Sequence, residues 1–399
     1  MRNQHHLITK LAFLSVSFIL TSAYAIQGSL PQLKAALHLS QQQAEYLVTT
    51  PSFSVMVFVI LSPLLQQWLK LSDKTMIMIG VTTIGVAGPV PLFCNSYQVI
   101  IASRLVLGAG IGLYNSQAIS IISRWYDGTE RAAMIGWHAA AEEIGQAATI
   151  SLASLLMLVG GWRASFAVYF LAIIVLALFS WQVPANRPVV TNDKAKTPGQ
   201  VAGSTRISPL VGLLAVLAFV LVVDYVGMEN RFSGLAVAIN GGHYHGASLF
   251  LSLMLVGATL GGLFYGRIYD RLKFNTIYLA LGLMAVANFL FGLAGDNFAL
   301  TVAGLLLIGF PYQLLSPLIF NLLPTLAPAN KQSTAASICL IGFNLGAFFS
   351  PTIGGWANLL TGHPLSGLGL AAPFPIYGVL LLLIALGIFI IRKSSVRNG

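Results

Sequence analysis

The chain has 399 residues, of which 56% are hydrophobic and only 8% are charged, whereas about 25% of the residues of a soluble protein are charged. So few charges cannot cover a water-soluble surface, and the mean hydropathy of +0.81 indicates that most of the chain faces lipid. These values exclude an ordinary soluble domain. Because one membrane-spanning helix takes about 20 apolar residues, the chain has room for about a dozen spans and little room for an enzyme.

Twelve apolar segments follow one another along the chain, and we number them spans 1 to 12. They are predicted at about residues 10–30, 44–69, 75–93, 97–123, 132–159, 163–183, 208–230, 246–267, 275–295, 298–324, 332–360 and 374–391. An even number of spans places both termini on the same side of the membrane. The sequence therefore predicts an all-α integral membrane protein.

The first apolar segment also has features of a signal peptide, since Lys10 precedes an apolar run that ends in the small-residue sequence Ala23-Tyr24-Ala25. The apolar stretch continues to Leu30, however, and eleven further spans follow. We therefore expect span 1 to be retained as an uncleaved anchor.

The formal net charge of +10 has two readings, an affinity for nucleic acid or a topology signal, and the positions of the basic residues favour the second. One set of loops and termini holds 17 of the 21 basic residues: Arg2, Lys10, Lys70, Lys74, Arg124, Arg131, Arg187, Lys194, Lys196, Arg206, Arg267, Arg271, Lys273, Lys331, Arg392, Lys393 and Arg397. The opposite loops hold only Lys34, Arg163 and Arg231, and Arg104 lies within a span. Because cytoplasmic loops are rich in Lys and Arg, we expect a cell-membrane protein with both termini in the cytoplasm and no nucleic-acid partner.

The longest polar stretch divides the chain into two six-span parts. It is rich in Pro, Gly and basic residues, which is typical of a flexible linker, and it predicts an N-terminal half at 1–183, a cytoplasmic linker at 184–207 and a C-terminal half at 208–399. Similar sequences recur at a fixed distance: Gly266 follows Ser62 by 204 residues, and Ser350 follows Gly145 by 205. This repetition indicates an internal duplication, an architecture that many transporters share.

The loop after span 8 reads Gly266-Arg267-Ile-Tyr-Asp270-Arg271, and it resembles the cytoplasmic loop motif of the major facilitator superfamily. The corresponding loop after span 2 is degraded, because Ser62 replaces Gly and Gln66-Gln67 replaces Asp-Arg. Arg104, followed by the closely spaced Gly108, Gly110 and Gly112 of span 4, is similar to a second motif of that family. The resemblance implies a secondary transporter with twelve transmembrane helices in two pseudo-symmetric six-helix bundles.

Three residues of the loop after span 8 are candidates for gating: Gly266, Asp270 and Arg271. A carboxylate at a helix end can hydrogen-bond the terminus of a neighbouring helix and hold the two together. Surface charge for orientation explains Arg271 but not Asp270. We therefore predict a cytoplasmic latch, with an orientation signal as the alternative.

Ionisable residues within spans are costly and usually functional, and four of them are candidates for proton coupling: Arg104, Glu142, Glu143 and Asp224. Glu142 lies near the midplane, about 15 Å into span 5. We expect one of Glu142 and Glu143 to pair with Arg104 and the other to face a cavity. Because burial disfavours the charged form of a carboxyl, the one in the cavity can take up a proton on one side and release it on the other. The alternative is a static Arg-Glu pair.

Span 7 carries further charges at Asp224, Glu229 and Arg231. Asp224 and Arg231 are seven residues apart and share a helix face, which allows an ion pair. Glu229 is expected to be a solvated residue at the end of the span, and Asp224 is the better candidate for the cavity.

Polar and aromatic residues at cavity depth are predicted to bind the substrate. They are Tyr24 and Gln27 in span 1, Asn115 in span 4, His138 and Gln146 in span 5, Tyr312 and Gln313 in span 10, and Asn344 in span 11; Gln117 is a weaker candidate. His243 and His245 lack a third ligand and are a poor metal site. No nucleotide-binding loop is present, Cys94 and Cys339 imply no disulfide framework, and we expect no metal and no cofactor.

These observations predict a proton-coupled secondary transporter, acting as a monomer in the bilayer on a small-molecule substrate. Apolar walls with isolated acids suit export of an amphiphilic or cationic compound. The resemblance is weaker here, because the family's proton-driven drug antiporters have a Gly-Pro pattern in span 5 where this chain has Gln146 and Thr149. The alternative is proton-coupled uptake of a small organic anion with Arg104 as its counter-charge.

Overall fold

The computed structural model describes residues 7–126, 128–183, 207–242, 244–328 and 331–397, and within these ranges the chain forms helices and turns without a β-strand. Span 1 consists of two short helices, Leu7–Phe18 and Leu30–Ala36, joined by tight turns. The other spans are Gln41–Trp68, Asp73–Ala87, Tyr97–Trp125, Gly128–Ala164, Leu171–Gln182, Leu210–Asn240, Ala247–Leu272, Thr276–Gly292, Phe298–Leu326, Gln332–Thr361 and Phe374–Arg397.

Nine stretches of the described residues are long and apolar enough to cross a membrane, or ten if the bent pair Leu7–Phe18 and Ser22–Ala36 is one span. Two of these stretches, Ala133–Gln182 with 50 residues and Ala247–Gly292 with 46, each contain two of the helices above. At about 1.5 Å per residue, either stretch is more than twice as long as the hydrocarbon core of about 30 Å, so each crosses twice. The chain is therefore a multi-pass membrane protein, and the predicted twelve-helix fold is confirmed.

Local sequence signals set several of the helix ends. The hydroxyl of Ser40 caps span 2 by accepting a hydrogen bond from the backbone N–H of Gln43, and the backbone N–H of Ser40 donates to Oε1 of the Gln43 side chain. Span 5 breaks at Gly160 and Gly161, where Gly161 has a φ of +71° that favours glycine. Span 7 has no such signal after Asp224 and continues to Asn240, ten residues beyond its predicted end.

Each group of six spans has its own buried hydrophobic cluster, one built from residues before 184 and the other almost entirely from residues after 207. Close helix contacts at glycines tighten each group. A Cβ at Gly145 would lie 1.9 Å from the Phe18 carbonyl oxygen, and one at Gly346 would lie 2.5 Å from the Phe219 carbonyl oxygen. We call spans 1–6 and spans 7–12 the two halves. The exact domain boundaries stay a prediction, since 184–206 of the linker lies outside the described residues.

The halves meet along a seam formed mainly by spans 2 and 11 and by spans 5 and 8. Its described polar and aromatic contacts lie between mid-depth and the face opposite the termini, which we call the sealed face. Near that face Tyr46 hydrogen-bonds Thr352, and Ser151 Oγ lies 2.8 Å from Ser252 Oγ. The face that carries both termini is the terminal face. The two halves are thus joined at the sealed face.

Candidate transport site

Polar side chains from both halves come together at mid-depth in the seam, and we call this group the central cluster. It consists of Gln27 from span 1, Glu143 and Gln146 from span 5, Glu229 and Asn230 from span 7, and Gln313 from span 10. Buried polar groups are costly unless they are hydrogen-bonded. Their concentration between two otherwise apolar bundles marks this part of the seam as the candidate site.

Glu229 lies at the centre of the cluster and is only 1% exposed. It accepts hydrogen bonds from Gln27 Nε2 at 3.3 Å and from Gln146 Nε2 at 3.2 Å, both in the other half. The expectation of a solvated residue at a span end is wrong. Span 7 continues to Asn240, so Glu229 lies about 16 Å before the end of its helix.

The adjacent acids of span 5 face different surroundings. Glu143 accepts a hydrogen bond from Gln313 Nε2 in the opposite half, whereas the carboxylate of Glu142 lies 2.9 Å from Nε2 of His138, one turn earlier on the same helix. His138 in turn contacts the hydroxyl of Ser17 in span 1. Successive residues of a helix point about 100° apart, and here that rotation turns Glu143 toward the seam and Glu142 toward its own half.

The described hydrogen-bond donors to the two seam carboxylates are all uncharged. Glu229 accepts hydrogen bonds from the amides of Gln27 and Gln146 and from the hydroxyl of Tyr225. Glu143 accepts one from the amide of Gln313. A buried carboxylate without a cationic partner is unfavourable. Such a group either takes up a proton or binds a cation.

Arg104 does not face these acids. Its guanidinium donates to the Leu47 carbonyl oxygen at 2.9 Å, to the Tyr169 hydroxyl at 2.5 Å and to the Ala23 carbonyl oxygen. All three partners belong to spans of the N-terminal half. The expected pair of Arg104 with Glu142 or Glu143 is therefore wrong, because carbonyl groups exposed at the turns of span 1 and along span 2 satisfy the guanidinium instead.

Asp224 lies outside the seam, in the interior of the C-terminal half. It is 1% exposed and accepts a hydrogen bond of 2.8 Å from Asn288 Nδ2 in span 9. The ion pair with Arg231 that the spacing allows does not form, because Arg231 Nε lies 3.4 Å from Glu45 Oε1. Two turns of helix separate Asp224 from Arg231, and each finds a partner on a neighbouring helix.

Glu45 and Arg231 form an ion pair across the seam, nearer to the sealed face than the central cluster, and both are 1% exposed. Gln41 donates to Glu45 at 3.0 Å, while Arg231 also donates to Asn358 Oδ1 at 2.7 Å and to the Leu370 carbonyl oxygen at 3.2 Å. We call this group the seal. Sequence reasoning missed Glu45, since a charge in the first turn of a span is usually solvated.

The predicted substrate-binding residues divide into two groups. Five lie at or beside the central cluster: Tyr24, Gln27, Gln146, Tyr312 and Gln313. The ring of Tyr312 stacks on that of Tyr225 at 4.1 Å, and Tyr24 Oη lies 3.2 Å from Ser52 Oγ. No described hydrogen bond links Asn115, His138 or Asn344 to the cluster, and Asn344 donates within its own helix.

The predicted latch residues lie on the terminal face. They belong to the last turns of span 8, which continues to Leu272, and not to a loop. Asp270 is exposed and lies 3.5 Å from Lys273, the residue that follows the helix, and a Cβ at Gly266 would meet nothing within 4 Å. Asp73, at the start of span 3, is instead buried and accepts hydrogen bonds from Gln66 and Ser120. A latch that closes the terminal face stays a prediction.

Within the described ranges no group of His, Cys, Asp and Glu has the arrangement of a metal site. His243 lies outside the described residues, and His245 contacts Gln32 at 3.3 Å.

The model of the Major Facilitator Superfamily matches residues 12–228 and 217–398 of the chain, while no curated protein matches the chain in sequence. Among solved structures, the chain is similar to a POT family transporter in complex with 5-aminolevulinic acid, with a TM-score of 0.78, 12% identity and 98% of each chain covered. It is also similar to an inward-facing, unoccupied bacterial homolog of the human lysosomal transporter Spinster, with a TM-score of 0.71, 15% identity and 94% of each chain covered. A D-xylose-proton symporter matches with a TM-score of 0.67 and 15% identity, over 94% of this chain and 96% of its own. At these identities the likeness concerns the fold.

Proposed function

Because the chain belongs to the Major Facilitator Superfamily, we propose that it is a proton-coupled secondary transporter that exports an amphiphilic or cationic compound by alternating access. The observation that carries this proposal is the pair of seam carboxylates, Glu143 and Glu229, whose described partners are all uncharged. We assign proton coupling to these two residues. Glu142 pairs with His138, and we assign it a smaller role in proton coupling.

If one carboxylate can bind either a proton or a cationic substrate, the two compete for it. When the cationic substrate binds, the proton leaves, and when a proton returns, the substrate is released. Since the halves can expose the site to only one side at a time, the two ligands cross in opposite directions. This exchange favours antiport, and with an inward proton gradient it favours export.

The aromatic residues beside the carboxylates support the choice of substrate class. Tyr225 and Tyr312 present a stacked pair of rings, and Tyr24 lies close to both the seam and Ser52. An aromatic face attracts a cation through its quadrupole, and apolar surroundings accommodate the rest of an amphiphilic molecule. An organic anion would instead need a cationic side chain at the central cluster, and Arg104, the cation expected to serve an anion, donates to partners inside one half.

Alternating access requires that the seal open when the terminal face closes. In the structure Glu45 and Arg231 join the halves, whereas the described ion pair of the latch residue Asp270 is with Lys273, at the end of the same helix. We infer that the substrate enters from the terminal face, which the distribution of basic residues predicts to be cytoplasmic. The D-xylose-proton symporter among the similar structures is no evidence for proton coupling in this chain. The evidence for coupling is the pair of seam carboxylates.

Inverted membrane vesicles containing the protein test the proposal. With an acidic interior, they should accumulate the lipophilic cation tetraphenylphosphonium, and collapse of the pH gradient should release it. Glu229→Gln and Glu143→Gln should abolish this accumulation, whereas Asp296→Asn, which removes an exposed carboxylate in the connection between spans 9 and 10, should leave it intact. Proton-dependent uptake of an organic anion such as benzoate into right-side-out vesicles would establish the opposite direction and overturn the proposal.

A further inference from the structure

A cavity lies on the sealed face beside the seal, and it shares Asn230 with the central cluster. Its volume is about 390 Å³, within the range of about 300 to 1,000 Å³ that small-molecule sites occupy. Both halves contribute to its walls, which include Lys34, His38, Gln41, Asn230, Gly234 and Leu370. We call this cavity the vestibule.

The polar groups of the vestibule are mainly hydrogen-bond donors. Lys34 supplies an ammonium group, and Asn230 supplies a buried Nδ2 that has no hydrogen-bond partner among the described atoms. His38 is exposed at the rim and has a φ of +51°, a conformation that is rare for a residue other than glycine. None of the described residues that line the cavity is acidic. The donors therefore suit a ligand that carries acceptor oxygens.

A chain of hydrogen bonds connects the vestibule with the seal. Lys34 Nζ donates to Gln41 Oε1 at 3.1 Å, Gln41 Nε2 donates to Glu45 Oε1 at 3.0 Å, and Glu45 pairs with Arg231 at 3.4 Å. This chain holds two cations and one carboxylate. Because Glu45 is already paired with Arg231, Lys34 contributes an uncompensated positive charge beside the cavity.

The remaining walls are apolar. They are formed by Leu30, Pro31, Ala35, Leu39, Ala44, Val237 and Leu370. A ligand that matches both parts of the lining has a carboxylate for Lys34 and Asn230 and a compact apolar body for the walls.

We propose that the vestibule is a binding site for a small carboxylate with an apolar body, entered from the sealed face, and that its occupant holds the sealed conformation closed. The second part follows from the walls: residues 30–44 belong to one half and residues 230–237 and 367–370 to the other. When the seal opens, these walls separate and the site is lost. A ligand that binds one conformation alone stabilises that conformation, so the occupant inhibits transport from the side opposite the termini.

Benzoate is a suitable probe, and its binding can be measured by thermal unfolding in detergent without any assumption about transport. At ten times its Kd, benzoate should raise the unfolding midpoint of the wild-type protein by about 2 °C. Benzylammonium, which has the same body and the opposite charge, should have no such effect at the same site. Lys34→Gln should abolish the benzoate shift, whereas Lys70→Gln, which removes a lysine from the terminal face, should preserve it.

Ala35→Trp provides a second variant that keeps every polar group and fills the cavity from its exposed wall. It should also abolish the shift. If benzoate raises the unfolding midpoint of Lys34→Gln or Ala35→Trp as much as that of wild type, it binds elsewhere and the proposal is overturned. The proposal is also overturned if benzylammonium raises the midpoint of wild type and these variants lose that effect.

The effect on conformation is measured separately with spin labels at Ala36 and Asn240, which lie in opposite halves on the sealed face. Benzoate should increase the population with the short distance between the two labels, and the increase should be smaller in Lys34→Gln. An unchanged or longer distance with bound benzoate would show that the vestibule binds an anion without closing the seal, and it would overturn the second part of the proposal. The direction and coupling of transport affect neither measurement.

Discussion

Two buried arginines, one inside the N-terminal half and one in the seam, show how the same side chain serves different purposes. Arg104 and Arg231 are 0% and 1% exposed. The described partners of Arg104 are carbonyl oxygens and a tyrosine within its own half, whereas Arg231 pairs with Glu45 of the other half. In the alternating access that we propose, the bonds of Arg104 would persist and the ion pair of Arg231 would break. The location of the partner, and not burial, decides whether a charge is structural or part of the moving machinery.

The largest expected effect is on the structural arginine. Arg104→Leu removes three charge-assisted hydrogen bonds, each contributing about 1.5 to 3 kcal/mol, and leaves the carbonyl oxygens of Ala23 and Leu47 without that donor. We expect a loss of at least about 4.5 kcal/mol of stability, seen as reduced yield and a lowered unfolding midpoint in detergent. Arg231→Gln is the matched control and should unfold closer to wild type. Equal destabilisation of the two variants would break the distinction between the arginines.

The next effect concerns the carboxylates of the seam. Glu229→Gln keeps the size of the side chain and its contact with Gln27 but cannot release a proton. We expect a loss of at least about tenfold in substrate accumulation driven by one unit of pH gradient, with substrate-independent stability unchanged or increased. Glu142→Gln, measured in parallel, should retain more than half of the accumulation. If Glu229→Gln still couples substrate accumulation to the pH gradient and Glu142→Gln does not, the proton-coupling site lies in the N-terminal half and not in the seam.

A smaller effect is expected when the seal is weakened. Glu45→Gln and Arg231→Gln should each shift the equilibrium away from the sealed conformation by about 1 to 3 kcal/mol, measured by distance distributions between spin labels at Ala36 and Asn240. Since both act on one contact, the double variant should differ from wild type by less than the sum of the single effects. Additive shifts would mean that the pair does not close the seam.

The smallest effect is expected at the latch. Asp270 is exposed and its described ion pair is with the exposed Lys273, so Asp270→Asn should change the stability of the sealed conformation by less than about 0.5 kcal/mol. If Asp270 closes the terminal face in the alternate conformation, the same variant should slow transport by a few-fold at unchanged substrate affinity. Unchanged transport would leave Asp270 as an orientation signal, which is the alternative reading of the motif.

The fold could be predicted because its signals are long and redundant. Twelve apolar segments, the asymmetry of basic residues and the motifs around Arg104 and Asp270 all indicate the same architecture, and an error in one segment would have disturbed the others. The partners of the buried charges could not be predicted. Sequence spacing limits which residues share a helix face, but it does not show which neighbouring helix lies opposite, and for Arg104 and Arg231 those neighbours offered better partners than the ones expected.

The site was predicted in part, and the error has a specific cause. Gln27, Gln146 and Gln313 were selected for their depth, and all three contribute to the central cluster. Glu229 was placed at a surface because the polar residues after it looked like the end of a helix. Glu229, Asn230 and Arg231 are instead buried by the other half, so the polarity that resembles a terminus is in fact the contact surface between the halves.

The glycine contacts described above have a consequence for how this protein can change over evolution. Inside the halves, a side chain at Gly145 or Gly346 would collide with the backbone of a neighbouring helix, so a substitution there must push two packed helices apart and should destabilise the half. At the seam, Tyr312 and Gln313 meet their described partners through side chains, so we expect exchanges there to disturb the backbone less. Mutations that alter the range of transported compounds should therefore accumulate at the seam and avoid the glycines. In a selection for transport of a new compound, the positions that accept substitutions should then trace the contact surface between the two halves.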